Sequence, residues 1–376
     1  MNITEIVIGS GMKLTCSREE LSRALGIASR GVSTRSAVQI LSGILLHASG
    51  SSLQLSATDM ELSLRTSIDA NVSEDGGVVV PGRLLVDLVR LLPENEVALE
   101  HLVEESTLQV TCGAAEYRLR TYGVEDFPRL PEVEGTQLYG VEAEPLLETI
   151  ARVSRAASRD ESRPVLTGIL VRFEPGKLVM AATDSYRLSV KETPIEAEVP
   201  ELEAIVPARA LEELRRIAGG SERVELGVQD NQVVFGVDGV WLTTRRIDGQ
   251  FPNYKTLLPE TFEQEVPLPR EELLEVVRRT AVMAVRNSPL RLRFAEGELT
   301  VSAQTQDVGE ARESLPAPFS GDPLEIGFNP DFLRDGIESV SGDTVILKLI
   351  NPLRPGLLEG AGEDFRYLIM PIRLAG

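Results

Sequence analysis

Leu41-Ser42-Gly43-Ile44-Leu45 returns 125 residues later as Leu166-Thr167-Gly168-Ile169-Leu170. Ala57-Thr58-Asp59 returns at the same shift as Ala182-Thr183-Asp184, Val80-Pro81 returns as Val206-Pro207, and Phe127-Pro128 returns as Phe251-Pro252. One order held at one spacing marks a duplicated unit. A third copy is weaker: Ser17-Arg18-Glu19-Glu20-Leu21 is echoed by Pro269-Arg270-Glu271-Glu272-Leu273, and Val80-Pro81-Gly82-Arg83-Leu84 by Gly327-Phe328-Asn329-Pro330-Asp331. A third of the 376 residues is about 125, so three copies account for the chain. That period is too long for a solenoid, and each copy has the size of a domain. The expected division is an extension at 1–11 and domains at 12–136, 137–263 and 264–376.

Within each copy the pattern alternates between helical and strand periodicity. Ser17 and Glu20 have capping-box spacing at the head of the first helix. In the second copy Leu146, Leu147, Ile150, Val153 and Ala157 recur at helical period, and in the third Leu273, Val276, Val277 and Ala281 do so behind Pro269. Short β runs follow, such as 44–48, 53–57 and 62–66, and then a second helix over 82–92, 208–217 and 330–340. Late strands over 116–122 and 239–245 complete the unit. The fold class is α+β, with helices on one face of antiparallel sheets.

The chain has 42% hydrophobic and 26% charged residues, enough to bury a core without metal or disulfide support. Cys16 and Cys112 are its only cysteines and read as small buried thiols of a reducing, cytoplasmic protein. The pattern contains no P-loop, no Gly-x-Ser-x-Gly elbow, no HExxH and no paired CxxC, and two histidines give a catalytic triad little material. No cofactor or metal is expected, and no membrane partner. The repeated Thr-Asp makes Asp59 and Asp184 the candidates for an acidic hydrolase, the alternative function. Against it, the third copy has Ala303-Gln304-Thr305 there, and an aspartate before a β run is a turn residue. A purely structural scaffold is a third possibility.

A net charge of −20 argues against a nucleic-acid partner until its distribution is followed. Segment 17–35 carries Arg18, Arg23, Arg30 and Arg35, and segment 148–163 carries Arg152, Arg155, Arg159 and Arg163. Helical spacing gathers Arg152, Arg155 and Arg159 on one face, away from the apolar side, and Arg279 and Arg286 are again seven apart. Arg83 and Arg209 enter the two second helices at equivalent points. Arginine clusters repeated in an acidic chain suit phosphate, which attracts charge without reading sequence.

Ala182-Thr183-Asp184-Ser185-Tyr186-Arg187-Leu188, Ile205-Val206-Pro207, Asp248-Gly249-Gln250-Phe251-Pro252-Asn253-Tyr254, Ile326-Gly327-Phe328-Asn329-Pro330 and the terminal Tyr367-Leu368-Ile369-Met370-Pro371-Ile372-Arg373-Leu374 together resemble the bacterial sliding-clamp family, the β subunits of DNA polymerase III. The resemblance runs from Met12 to Leu374. It implies a head-to-tail homodimer of three-domain subunits closed into a six-domain ring around duplex DNA, conferring processivity. The implied partners are double-stranded DNA, the replicative polymerase, an ATP-driven clamp loader and other proteins carrying a clamp-binding motif.

The resemblance also implies residues. Arg35, Arg159 and Arg163 would touch DNA, to which repeat position adds Arg83 and Arg209, and helical position Arg152. A partner-peptide pocket would comprise Leu166, Gly168, Thr183, Ser185, Tyr186, Arg187, Leu188, Pro252, Thr256, Leu257, Asn329, Phe332, Leu368, Met370, Pro371, Ile372 and Arg373. Ser185, Tyr186 and Thr256 stand where the family often has glycine, histidine and arginine. Tyr117 and Leu119, with Val282 and Met283, would form the apolar dimer contact.

Overall fold

The computed structural model describes residues 11–33, 38–196, 199, 201–285 and 288–374. Arg35, Arg286 and the extension up to residue 10 lie outside the described residues. Seven α-helices are present among these: α1 (Arg18–Ala28), α2 (Gly82–Arg90), α3 (Ala143–Val153), the single turn α4 (Pro164–Thr167), α5 (Ala208–Ile217), α6 (Arg270–Ala281) and α7 (Pro330–Ser339). Two compact units emerge, Met1–Glu144 with Glu213–Arg246, and Pro145–Glu212 with Ile247–Gly376.

Helix α1 starts as its sequence dictates. The Ser17 hydroxyl accepts from Glu20 N at 3.5 Å, Glu19 and Glu20 occupy the positive end of the helix dipole, and Leu21, Ala24, Leu25 and Ala28 turn inward. Leu85, Val86 and Val89 of α2 face the same core, which also takes Cys16 and Cys112. Burial pushes the Cys16 thiol up to about 12, with Glu20 adding to the effect, so it stays protonated. In the second unit Leu273, Val276 and Val277 of α6 and Leu333 and Ile337 of α7 are buried.

All sheets are antiparallel, and the two largest cross repeat boundaries. In the first unit, Val240–Arg245 of the second repeat pairs with Leu62–Asp69 of the first, with Trp241 opposite Arg65 and Thr244 opposite Leu62. The result is one eight-stranded sheet, flanked in the unit by a five-stranded one that ends on Ala115–Arg120. In the second unit, Arg187–Pro194 pairs with the late strand Phe365–Ile369, with Arg187 opposite Ile369 and Leu188 opposite Leu368. That sheet also has eight strands, and a four-stranded sheet ending on Gly309–Pro316 accompanies it.

The helix that opens the second repeat is shorter than the helical spacing of Leu146 to Ala157 and of Arg152, Arg155 and Arg159 suggests. It stops at Val153, tightens into a 3-10 turn at Ser154–Ala156, and becomes extended at Ala157.

Candidate functional site

Strand Lys177–Thr183 passes to Arg187–Pro194 through a turn closed by its own side chains. Thr183 Oγ1 donates to Arg187 O at 2.6 Å and accepts from Ser185 N at 3.1 Å, while Asp184 Oδ1 accepts from Tyr186 N at 2.9 Å and Arg187 N at 3.0 Å. Asp184 is thus a turn-forming residue, and Asp59 acts alike, accepting from Glu61 N at 3.1 Å and Leu62 N at 2.8 Å. Ser185 has φ +79°, in the left-handed region that favours glycine.

The chain end docks on this turn. Met370 N donates to Tyr186 O at 2.9 Å and Ile372 N to Gly327 O at 2.8 Å. Gly327 permits the close approach, since a Cβ there would stand 2.6 Å from Leu374 Cδ2. Two residues on, the Asn329 side chain caps α7 by accepting from Asp331 N at 2.9 Å and Phe332 N at 3.1 Å. Arg187 connects these parts. Its Nε donates to Asp184 Oδ2 at 3.0 Å, its Nη1 to Asp335 Oδ2 at 2.6 Å and to the Tyr367 hydroxyl at 3.2 Å, and its guanidinium lies 4.2 Å from the Phe332 ring centroid. Hydrogen bonds and opposite charges keep it charged against the cost of burial.

Leu188 and Leu368 lie in one buried cluster with Leu170, Ile205, Phe251 and Tyr254, with Val165 and Leu258 packed against it. Leu166, Pro252 and Leu257 adjoin Val165, Phe251 and Leu258 of this cluster in sequence. Gly168 is fully packed: a Cβ would meet Ile205 Cγ2 at 2.5 Å and Ile247 Cδ1 at 2.7 Å. Beside this cluster in sequence, Tyr186, Leu257 and Met370 remain 60%, 49% and 43% exposed. Thr256 is exposed, its hydroxyl donating to Asn253 O at 2.8 Å, and Arg373 is also exposed, while Pro371 and Ile372 are half-buried.

The basic residues divide. Arg83, Arg159 and Arg209 are exposed. Arg163 is exposed too but turns toward the Thr183–Arg187 turn, donating to Asp160 Oδ2 at 3.2 Å and to Ser185 Oγ at 3.2 Å. Arg152 departs from the expected face. Its side chain is 12% exposed, pairs with Glu148 and with Glu363 at 3.4 Å, and lies 5.8 Å from the Phe365 ring centroid. It ties α3 to Glu363, while Arg155 and Arg159 lie beyond the end of α3 and do not continue its face. Arg155 pairs with Glu338. Arg18 and Arg23, which the sequence places in a basic cluster, and Arg90, which sequence reading passed over, line an open cavity of about 500 Å³ between α1 and α2. The available signal was Arg90 standing seven residues after Arg83 on one helix.

Of the expected apolar contact residues, Tyr117 is 40% and Val282 72% exposed, and Met283 is half-buried. Leu119 is 4% exposed, opposite Leu108 and within the first core, so it is a packing residue. Val285 and Val308, 40% and 52% exposed, extend the apolar surface that Val282 begins.

Repeated α+β units of this kind, with exposed apolar side chains beside a turn of the second unit's joined sheet, point to the sliding-clamp class. The family descriptions of the DNA polymerase III beta subunit match in succession, the N-terminal domain at residues 12–131, the central domain at 140–253 and the C-terminal domain at 255–373. The chain belongs to this family. It is 35% identical over 382 residues to the beta sliding clamp of Streptomyces coelicolor, covering 97% of this chain and 100% of that one. Identity to the beta sliding clamp of Synechococcus elongatus is 36%, over 96% of this chain and 100% of the other. Among solved structures, the sliding clamp of Pseudomonas aeruginosa bound to griselimycin matches with TM-score 0.89 and 29% identity, covering 97% and 100% of the two chains. The Bacillus subtilis sliding clamp matches with TM-score 0.91 and 25% identity over the same shares. The protein is a DNA sliding clamp, a non-catalytic processivity factor, and no hydrolase reading survives.

Proposed function

We propose that two copies close head-to-tail into a ring around duplex DNA and that the groove beside Leu188 and Leu368 receives a short peptide with apolar anchors. The observation that carries the peptide reading is the exposed trio Tyr186, Leu257 and Met370 around buried leucines. A polymerase, an ATP-driven loader and repair proteins would compete for this slot, with affinity concentrated in a few anchors. Ring closure is supported by the strands Ala115–Arg120 and Gly309–Pro316, each at a sheet margin and paired on one side only among the described residues, and by the apolar side chains Val282, Met283, Val285 and Val308. Such a heterologous contact closes after two copies.

DNA contact falls to Arg35, Arg83, Arg159, Arg163 and Arg209, joined by Arg18, Arg23 and Arg90 and without Arg152. The division at 12–136, 137–263 and 264–376 is the functional one, and the cytoplasm is the expected location. Among the described residues no helix is long and apolar enough to cross a membrane. Deleting Met370–Leu374 tests the groove, since these residues supply both a rim and the docking bonds to Tyr186 and Gly327. Calorimetry with a Gln-Leu-x-Leu-Phe peptide should show binding abolished with the dimer retained. Undiminished binding by the truncated protein contradicts the assignment.

A further inference from the structure

The first repeat provides an internal control for the turn at the groove. Thr58 Oγ1 donates to Leu62 O at 3.0 Å and accepts from Met60 N at 3.0 Å, matching the bonds of Thr183 one repeat later. Met60 has φ +80° where Ser185 has +79°. The docking bond is repeated as well, with Arg245 N donating to Glu61 O at 3.1 Å as Met370 N donates to Tyr186 O at 2.9 Å. Yet Leu62 occupies the place of Arg187. The turn therefore forms without an arginine. Arg187 is nonetheless placed where its side chain is 10% exposed, and burying a guanidinium costs several kcal/mol unless it is paired and hydrogen-bonded throughout. Asp184, Asp335, the Tyr367 hydroxyl and the Phe332 ring face supply that compensation.

We propose that Arg187 is a positioning residue for the groove: by bridging Asp184 on the turn and Asp335 on α7, it fixes the spacing between the segment carrying Tyr186 and the helix carrying Phe332. The inference rests on the peptide reading of the groove. Tyr367 completes the bridge, since its hydroxyl accepts from Arg187 and donates to Phe332 O at 2.9 Å, which fixes the backbone of Phe332 as well as its ring. A cluster joining two walls of a slot pre-organises it, so that a peptide does not have to order it on binding. The first repeat, with Leu62, has the turn and lacks the bridge.

The experiment separates the slot from the fold with two variants. Arg187→Leu leaves Asp335 without its nearest cation, with Arg155 and Arg334 each still at 3.8 Å; Arg187→Leu with Asp335→Leu removes that carboxylate too, and exchanging both partners of a buried pair for apolar groups is commonly neutral for stability. Asp184 is kept, because backbone donors hold it as they hold Asp59. The single variant should melt earlier and bind a Gln-Leu-x-Leu-Phe peptide, amidated at its C-terminus, at least about tenfold more weakly. The double variant should recover the melting midpoint and not the affinity. Arg187→Lys, which keeps the charge and loses the planar fork, should also bind at least about tenfold more weakly with a near-normal midpoint. Full affinity in either the double variant or Arg187→Lys would overturn the positioning role. Failure of the unaltered protein to bind the peptide would overturn the groove reading and this inference with it, whereas binding lost only in a Met370→Ala control would sink the positioning role alone.

Discussion

Leu119 and Val282 are both apolar and both belong to segments expected at a subunit contact, but only one is free to make it. Leu119 is buried in the first core, and Leu119→Ala should cost about 2–5 kcal/mol in urea denaturation through the cavity it leaves. Val282 is 72% exposed, so Val282→Asp should leave the denaturation midpoint in place and shift sedimentation from dimer to monomer. A dimer surviving Val282→Asp contradicts the interface. Sequence distinguished Asp59 and Asp184 correctly as turn residues, because an Asx turn is a local matter. It misplaced Arg152, whose partner Glu363 is 211 residues away in the chain and leaves no local trace.

Elements ended where local chemistry could be read and combined where it could not. The cap at Ser17, the helices over 208–217 and 330–339 and the strands around them follow from capping and period. The stop of α3 at Val153 overrode an arginine periodicity that continued past it. Helices α6 and α7 are tied by Glu338, which Arg278 meets at 2.8 Å and Arg155 also contacts. Burial alone would raise this carboxyl, but hydrogen bonds from the two arginines prevail and hold it below its ordinary 4.5. A depressed carboxylate contributes stability that is present above the unfolded value and lost as pH falls through the folded one. The melting temperature of Glu338→Gln should therefore lie below that of the unaltered protein at neutral pH, and the two curves should converge below pH 4.5. Parallel curves would show that Glu338 does not act through its charge. On α1 and α2, replacing Arg18, Arg23 and Arg90 together by alanine should flatten the salt dependence of DNA binding by roughly one unit of slope per lost phosphate contact. An unchanged slope would mean that these helices face away from DNA.

At the scale of the whole molecule the threefold repeat was plain in the sequence, while the way repeats share sheets was not. Trp241 pairs with Arg65 and Leu368 with Leu188 across long stretches of chain, and strand partners so far apart are selected by tertiary packing rather than by local pattern. The proposed groove is legible in the sequence only as scattered residues, among them Leu166, Thr183 to Leu188, Pro252, Asn329 and Met370 to Arg373. What joins them, the docking bonds of the chain end and the Arg187 cluster, belongs to the folded state. The net charge of −20 fits the proposed ring, because such a ring would hold DNA by topology and need only a modest local excess of arginine on the surface that meets phosphate.

Topology is therefore what the decisive measurement must isolate. The protein, labelled and placed on a nicked circular plasmid by an ATP-driven bacterial clamp loader, is separated from free protein by gel filtration at a salt concentration that abolishes direct phosphate binding. The account predicts that label stays with the circle and is lost within the time of the experiment once a single restriction cut linearises it. Equal retention on circular and linear DNA, or none on either, would contradict a clamp that encloses its duplex.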